Sequence, residues 1–72
     1  MGQRQSTIIP KAPVGRILMQ AGAKRVSADA VNAFVDVLEK IATEVGVQSV
    51  KIAKHSGRKT VNGEDIRLAA RR

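Results

Sequence analysis

The side chains able to do chemistry in this 72-residue chain are mostly cations. Thirteen Lys and Arg stand against six Asp and Glu, a formal net charge of +7 with a pI near 11.0. One run, Arg58-Lys59-Thr60-Val61, sets two cations beside a hydroxyl and a β-branched residue. Bond-making chemistry has no starting point here, because no nucleophile–base pair and no glycine-rich phosphate loop can be assembled. His55 is the single histidine and there is no cysteine, so no disulfide or zinc site is expected. The sequence therefore calls for no catalytic residue, metal or cofactor. A strong positive balance favours a polyanion, meaning nucleic acid or an anionic membrane surface. Hydrophobic residues make up 43% of the chain, too many for a disordered basic tail. The absence of cysteine is compatible with a reducing compartment. No apolar run reaches the length of a signal segment or a membrane span.

These cations need elements to position them. Residues 1–12 are polar, aperiodic and contain Pro10, and read as a flexible arm with Ile8 and Ile9 available to dock on the body. Pro13 suits a first helical position, Val14, Ile17, Leu18 and Ala21 follow at helical spacing, and Gly22 supplies a stop. Ser27 then caps a long periodic stretch, with Asp29 in its first turn. Ala30, Phe34, Val37, Leu38, Ile41, Val45 and Ile52 make one broad stripe, and Asn32, Asp36, Glu39, Lys40, Thr43 and Glu44 fill the other face. Gly57 ends it. Gly46 lies inside and costs about 1 kcal/mol relative to Ala, yet no Pro or Asn-Gly pair supports a break. Asn62 caps a third, short helix carrying Glu64 and Asp65 in its first turn and Arg71 and Arg72 in its last. The layout is all-α: short helix, long helix, short helix.

Geometry adds a second chain. A helix from about Ala28 to His55 is about 42 Å long, whereas a compact monomer of this size is only about 29 Å across. Its apolar stripe is also wider than two short helices can cover. Two copies whose long helices cross would cover both.

Four strings carry a family resemblance: Ala12-Pro13-Val14-Gly15-Arg16-Ile17; Ala21-Gly22-Ala23-Lys24-Arg25-Val26-Ser27; Lys51-Ile52-Ala53-Lys54-His55-Ser56-Gly57-Arg58-Lys59-Thr60-Val61; and Glu64-Asp65-Ile66. In this order and spacing the chain from Ala12 to Arg72 closely resembles the archaeal histones. The resemblance implies a histone fold over residues 13–72, dimerised head-to-tail in a handshake that wraps double-stranded DNA on its outside. It implies that dimers assemble further on DNA as tetramers or larger, with a paralogous histone as an alternative partner, in the cytoplasm at the chromosome or nucleoid.

Carried over position by position, Arg25 resembles the loop arginine that enters the minor groove, and Thr60 the partner-loop threonine that braces it. Lys59 and Lys24 fall beside phosphates, and Val26 and Val61 pair the two loops across the dimer. Arg16 resembles a first-helix phosphate contact, with backbone N–H groups around Pro13 and Val14 adding to it. Arg58 and Asp65 resemble a salt bridge between second loop and third helix. Ile52, His55, Asp65 and Leu68 match a dimer–dimer contact in which His55 bonds the neighbour's Asp65. Gly22 matches a position where successive superhelical turns approach. Gly46 departs from the pattern, and the arm is longer than in the shortest members, its Arg4 and Lys11 adding either further phosphate contacts or nothing.

Other functions fit less well. A histone-fold component of a transcription-factor-like heterodimer needs the core but not Arg16, Arg25, Lys59 and Thr60. A helix-turn-helix regulator needs a recognition helix rich in Arg, Asn or Gln, where the long helix offers acid. RNA recognition lacks a stacking platform, since Phe34 is the single aromatic and falls on the core face. Membrane binding lacks a helix with a Lys/Arg-rich polar face.

Overall fold

The computed structural model describes residues 8–71, which form three helices: α1 (Lys11–Gln20), α2 (Ala28–His55) and α3 (Gly63–Ala70). The arm's first seven residues, with Arg4, lie outside the described residues, as does Arg72. Contacts divide the chain into two compact units, Met1–Glu39 and Lys40–Arg72. The chain's five Lys/Arg and three carboxylates before position 40 contrast with eight and three from Lys40 onward.

In the first unit, Val14 of α1 and Val35 of α2 are fully buried, each contributing roughly 1.5–3 kcal/mol relative to exposure. Gly15 passes close to α2, where an added Cβ would lie 3.6 Å from Val31 Cγ2. α1 starts two residues before the expected Pro13. Its N-cap is Pro10, and Pro13 occupies the third helical position. The first four N–H groups of a helix have no intrahelical partner, so a proline is tolerated there as readily as at the first position. α1 closes with a glycine turn. Gly22 has φ 120, its N–H donates to Met19 O (3.0 Å), and the Ala23 N–H donates to Leu18 O (3.1 Å). That pair of bonds is the Schellman motif. Ile8 does not dock through its side chain, which is 91% exposed. Instead the backbone N–H groups of Ile8 and Ile9 both donate to Glu39 Oε2, at 2.7 and 3.2 Å.

α2 begins as the capping chemistry requires: Ser27 Oγ accepts the Ala30 N–H at 3.0 Å. The helix then runs unbroken through Gly46 to His55. Its end repeats the closure of α1. Gly57 has φ 74, its N–H reaches Lys54 O (2.9 Å), and the Arg58 N–H reaches Ala53 O (2.9 Å). In the second unit Ala53 and Ser49 are buried. The Ser49 hydroxyl lies 2.8 Å from Val45 O and 3.4 Å from Asp65 O, so it ties α2 to α3. α3 stops at Ala70, which leaves Arg71 as an extended C-cap and Arg67 as the cation of the last turn. The sequence places Arg71 inside that turn. Its N–H still bonds Leu68 O at 3.2 Å, but its own backbone (φ -72, ψ 142) has left the helix.

Much apolar surface stays uncovered. Val37, Ile41, Val47 and Val50 of α2 are exposed. Among the described apolar side chains only Val14, Val35 and Ala53 are buried. A core this small does not stabilise a lone domain of this length.

Candidate nucleic-acid interface

The first unit brings three cations to one cleft. Lys11 and Arg16 come from α1 and Arg25 from the loop that follows it. Together with Gly15, Val26 and Asn32 they line a hollow of about 740 Å³. The Gly22 turn reverses the chain after α1, so that Arg25 lines the same hollow as Lys11 and Arg16. Lys24 is exposed on the same loop. The start of α1 has no side-chain cap and no acidic residue in its first turn, so its macrodipole is uncompensated and receptive to an anion. Because α1 begins at Lys11 after the Pro10 N-cap, the free N–H groups belong to Lys11 and Ala12. Pro13 has none to offer, and the Val14 side chain is core rather than surface. Sequence pattern does not single out Asn32 as a binding residue; its proximity to Arg16 arises only once α1 is folded against α2.

The second unit holds Lys59 and Thr60 in a loop with a rigid frame. Arg58 Nη1 donates to Thr60 O at 3.0 Å and to Asp65 Oδ2 at 3.0 Å, while Nη2 donates to Asp65 Oδ1 at 2.9 Å. The Asn62 N–H also donates to Asp65 Oδ2, at 2.8 Å, tying the loop to the first turn of α3. Three charge-assisted bonds thus converge on a side chain only 3% exposed. The Arg58 guanidinium foremost, and the Asn62 N–H after it, hold the Asp65 carboxyl down at about 2, against the opposing effect of burial. Arg58 is raised in turn, chiefly by its hydrogen bond to Asp65. Lys59 and Thr60 themselves remain exposed.

The residues expected at a dimer–dimer contact all fall in this second unit. His55 is exposed and Ile52 half-buried; both line one open hollow with Lys51, Lys54 and Ser56. Leu68 is 53% exposed. Asp65 is the exception, because its carboxylate is sunk beneath Arg58, and Oδ1 alone keeps a lone pair for a further donor. Gly22 is exposed, and an added Cβ would meet nothing within 4 Å. Its positive φ gives a local reason for glycine, separate from any contact with another molecule.

With this geometry in place, comparison with known proteins gives one family. A family model described as histone-like transcription factor (CBF/NF-Y) and archaeal histone matches residues 7–70. The chain is 49% identical over 63 residues to one of the chains of the archaeal histone HAN1 of Thermococcus zilligii, covering 88% of this chain and 94% of that one. It is 51% identical over 63 residues to probable archaeal histone 3 of Methanocaldococcus jannaschii, with the same coverage. A DNA-binding protein of that organism, HmvA, is 41% identical over 83% of this chain and 62% of its own length. The chain belongs to the family of histone-like transcription factors and archaeal histones, and its short–long–short helices are the histone fold.

Proposed function

We propose that this chain is an architectural chromatin protein, which binds and wraps double-stranded DNA with little regard to sequence and compacts the chromosome. The convergence of Arg16, Arg25 and Lys11 on one cleft, beside an uncapped helix start, carries this reading. Guanidinium groups suit a narrow, strongly negative minor groove without demanding a particular base, and backbone N–H groups suit phosphate. The naming of one relative as a DNA-binding protein supports it.

The working unit is a dimer. Pairing head-to-tail covers the exposed apolar residues of α2 and sets the Arg25 loop of one chain beside the Lys59–Thr60 loop of the other. Thr60, whose carbonyl is held by Arg58, then braces Arg25, and Val26 and Val61 join the loops. DNA bends over the paired loops because repeated cationic contacts repay its deformation. Dimers extend along DNA through the face of Ile52, His55 and Leu68. A heterodimeric interaction protein needs no cationic cleft.

Nuclease digestion of complexes between the pure protein and duplex DNA tests the proposal. A protected ladder with a regular step is expected from dimer-by-dimer wrapping. Absence of protection at low salt, with the protein folded and dimeric, overturns it.

A further inference from the structure

We infer that the hollow between α1 and the start of α2 binds a free adenine nucleotide with its chain of phosphates, a ligand distinct from the DNA proposed to meet the same cations. Lys11, Arg16 and Arg25 line this hollow, but so do the apolar Met19 and Val31 and the amide of Asn32. Met19 is 53% exposed, so its thioether stands open to water beside three cations. Val31 is half-buried where Gly15 lets α1 approach, and Asn32 is exposed. No carboxylate lines the hollow. Of the acids in this unit, Glu39 is bound by the Ile8 and Ile9 N–H groups, and Asp29 and Asp36 are exposed outside the lining. The volume, about 740 Å³, lies in the range of about 300–1,000 Å³ usual for small-ligand sites.

Cations alone suit any polyanion; the apolar wall and the amide narrow the choice. In a duplex the bases are paired and stacked, so DNA across the cleft offers phosphates and groove edges and no base face. A free nucleotide has both faces of its base available. The Met19 thioether is favourable against an aromatic ring, and Val31 adds apolar surface beside it. An Asn amide pairs with adenine in two bonds: its N–H donates to N7 and its carbonyl oxygen accepts from the N6 amino group. Guanine presents two acceptors on that edge, N7 and O6, and leaves the Asn carbonyl without a partner. The Arg16 and Arg25 guanidinium groups take phosphate oxygens in pairs. Lys11 adds a point charge, and the free N–H groups of Lys11 and Ala12 lie at the same end of α1. With no carboxylate or histidine in the lining, a general base is missing, and the nucleotide is a ligand rather than a substrate. The nucleotide site needs no DNA; mutual exclusion of nucleotide and DNA, its functional consequence, rests on the proposed DNA contact at Arg16 and Arg25.

Calorimetric titration and amide chemical-shift mapping of the full chain test this at about 0.1 M salt, with metal-free ATP, GTP and inorganic tripolyphosphate as probes. Tripolyphosphate carries no less charge than ATP, so a margin in favour of ATP reports the base. ATP should bind about tenfold more tightly than either other probe, with shifts concentrated between Lys11 and Asn32. Arg16→Ala should weaken ATP and tripolyphosphate alike, Met19→Ala should remove the margin between them, and Asn32→Ala should bring ATP and GTP together. Circular dichroism and dimer mass verify that each variant folds. Equal affinity of wild type for ATP and either other probe, or shifts spread equally over Lys51, Lys54 and Lys59, would reduce the effect to diffuse counterion binding and overturn the inference. A folded Met19→Ala variant that keeps the full margin would overturn it too, because the base would then lie elsewhere. ATP should also displace duplex DNA at a lower concentration than tripolyphosphate at matched ionic strength. If ATP binds as expected but displaces no DNA, the nucleotide site holds and the proposed DNA contact in this cleft is wrong.

Discussion

The Arg58 guanidinium grips the Asp65 carboxylate at two points, 2.9 and 3.0 Å, while reaching 3.0 Å to the carbonyl of Thr60. One side chain therefore fixes both the start of α3 and the loop proposed to meet DNA. The Asp65 carboxyl, held at about 2 against an ordinary 3.8, makes this brace pH-dependent. A folded-state value below the unfolded one adds stability that is fully present above about pH 4 and is lost as pH falls through 2. Asp65→Asn should lower the thermal midpoint by several degrees at neutral pH, and the gap to wild type should close near pH 2. Melting both proteins across that range at fixed concentration checks this, since dimer stability depends on concentration. A gap that stays constant with pH would show that the lost contribution is not ionic.

Gly46 offers a prediction of opposite sign. It lies in the interior of α2, and a Cβ built there meets nothing within 4 Å. Gly46→Ala should therefore stabilise the chain by about 0.8–1 kcal/mol through helix propensity, read as a shifted urea midpoint. Destabilisation would place a partner's backbone within reach of this position.

Removing a cation tests the cleft. Arg25→Ala or Lys59→Ala should weaken binding to unrelated duplexes by similar factors and reduce the slope of log affinity against log salt by about one each. Circular dichroism should be unchanged. A loss confined to one sequence would point to base reading instead.

Glu39 holds the beginning of the described chain by two backbone N–H groups. Glu39→Ala should speed hydrogen exchange at the amides of Ile8 and Ile9 by at least tenfold. Glu39→Gln, which keeps a carbonyl acceptor, should fall between. Unchanged exchange in Glu39→Ala would mean that other groups protect these amides.

The limits of α2 are legible because its signals are local: a serine cap at one end and a glycine turn at the other, with one unbroken stripe between. The start of α1 is ambiguous for an equally local reason, since proline is as free at the third helical position as at the first. Arg71 falls outside α3 because a helix of eight residues has few internal bonds to hold its last turn. The anchoring role of Glu39 is invisible in the sequence. Its partners are 30 and 31 residues away and are backbone groups, which no side-chain pattern records. Ser49 is hidden similarly, as a small polar residue whose burial depends on where α3 lands. The Arg58–Asp65 pairing follows from family resemblance; seven residues and an intervening loop do not imply it.

The two loops share a construction principle with a practical side. Both leave their helices through a glycine whose backbone alone makes the reversal, so the direction of exit owes nothing to the side chains of Lys24, Arg25 or Lys59 beyond it. Grip on a polyanion and integrity of the scaffold are thereby largely separable properties. The loop cations form a set that can be exchanged, thinned or reversed to retune attachment, with little tax on folding.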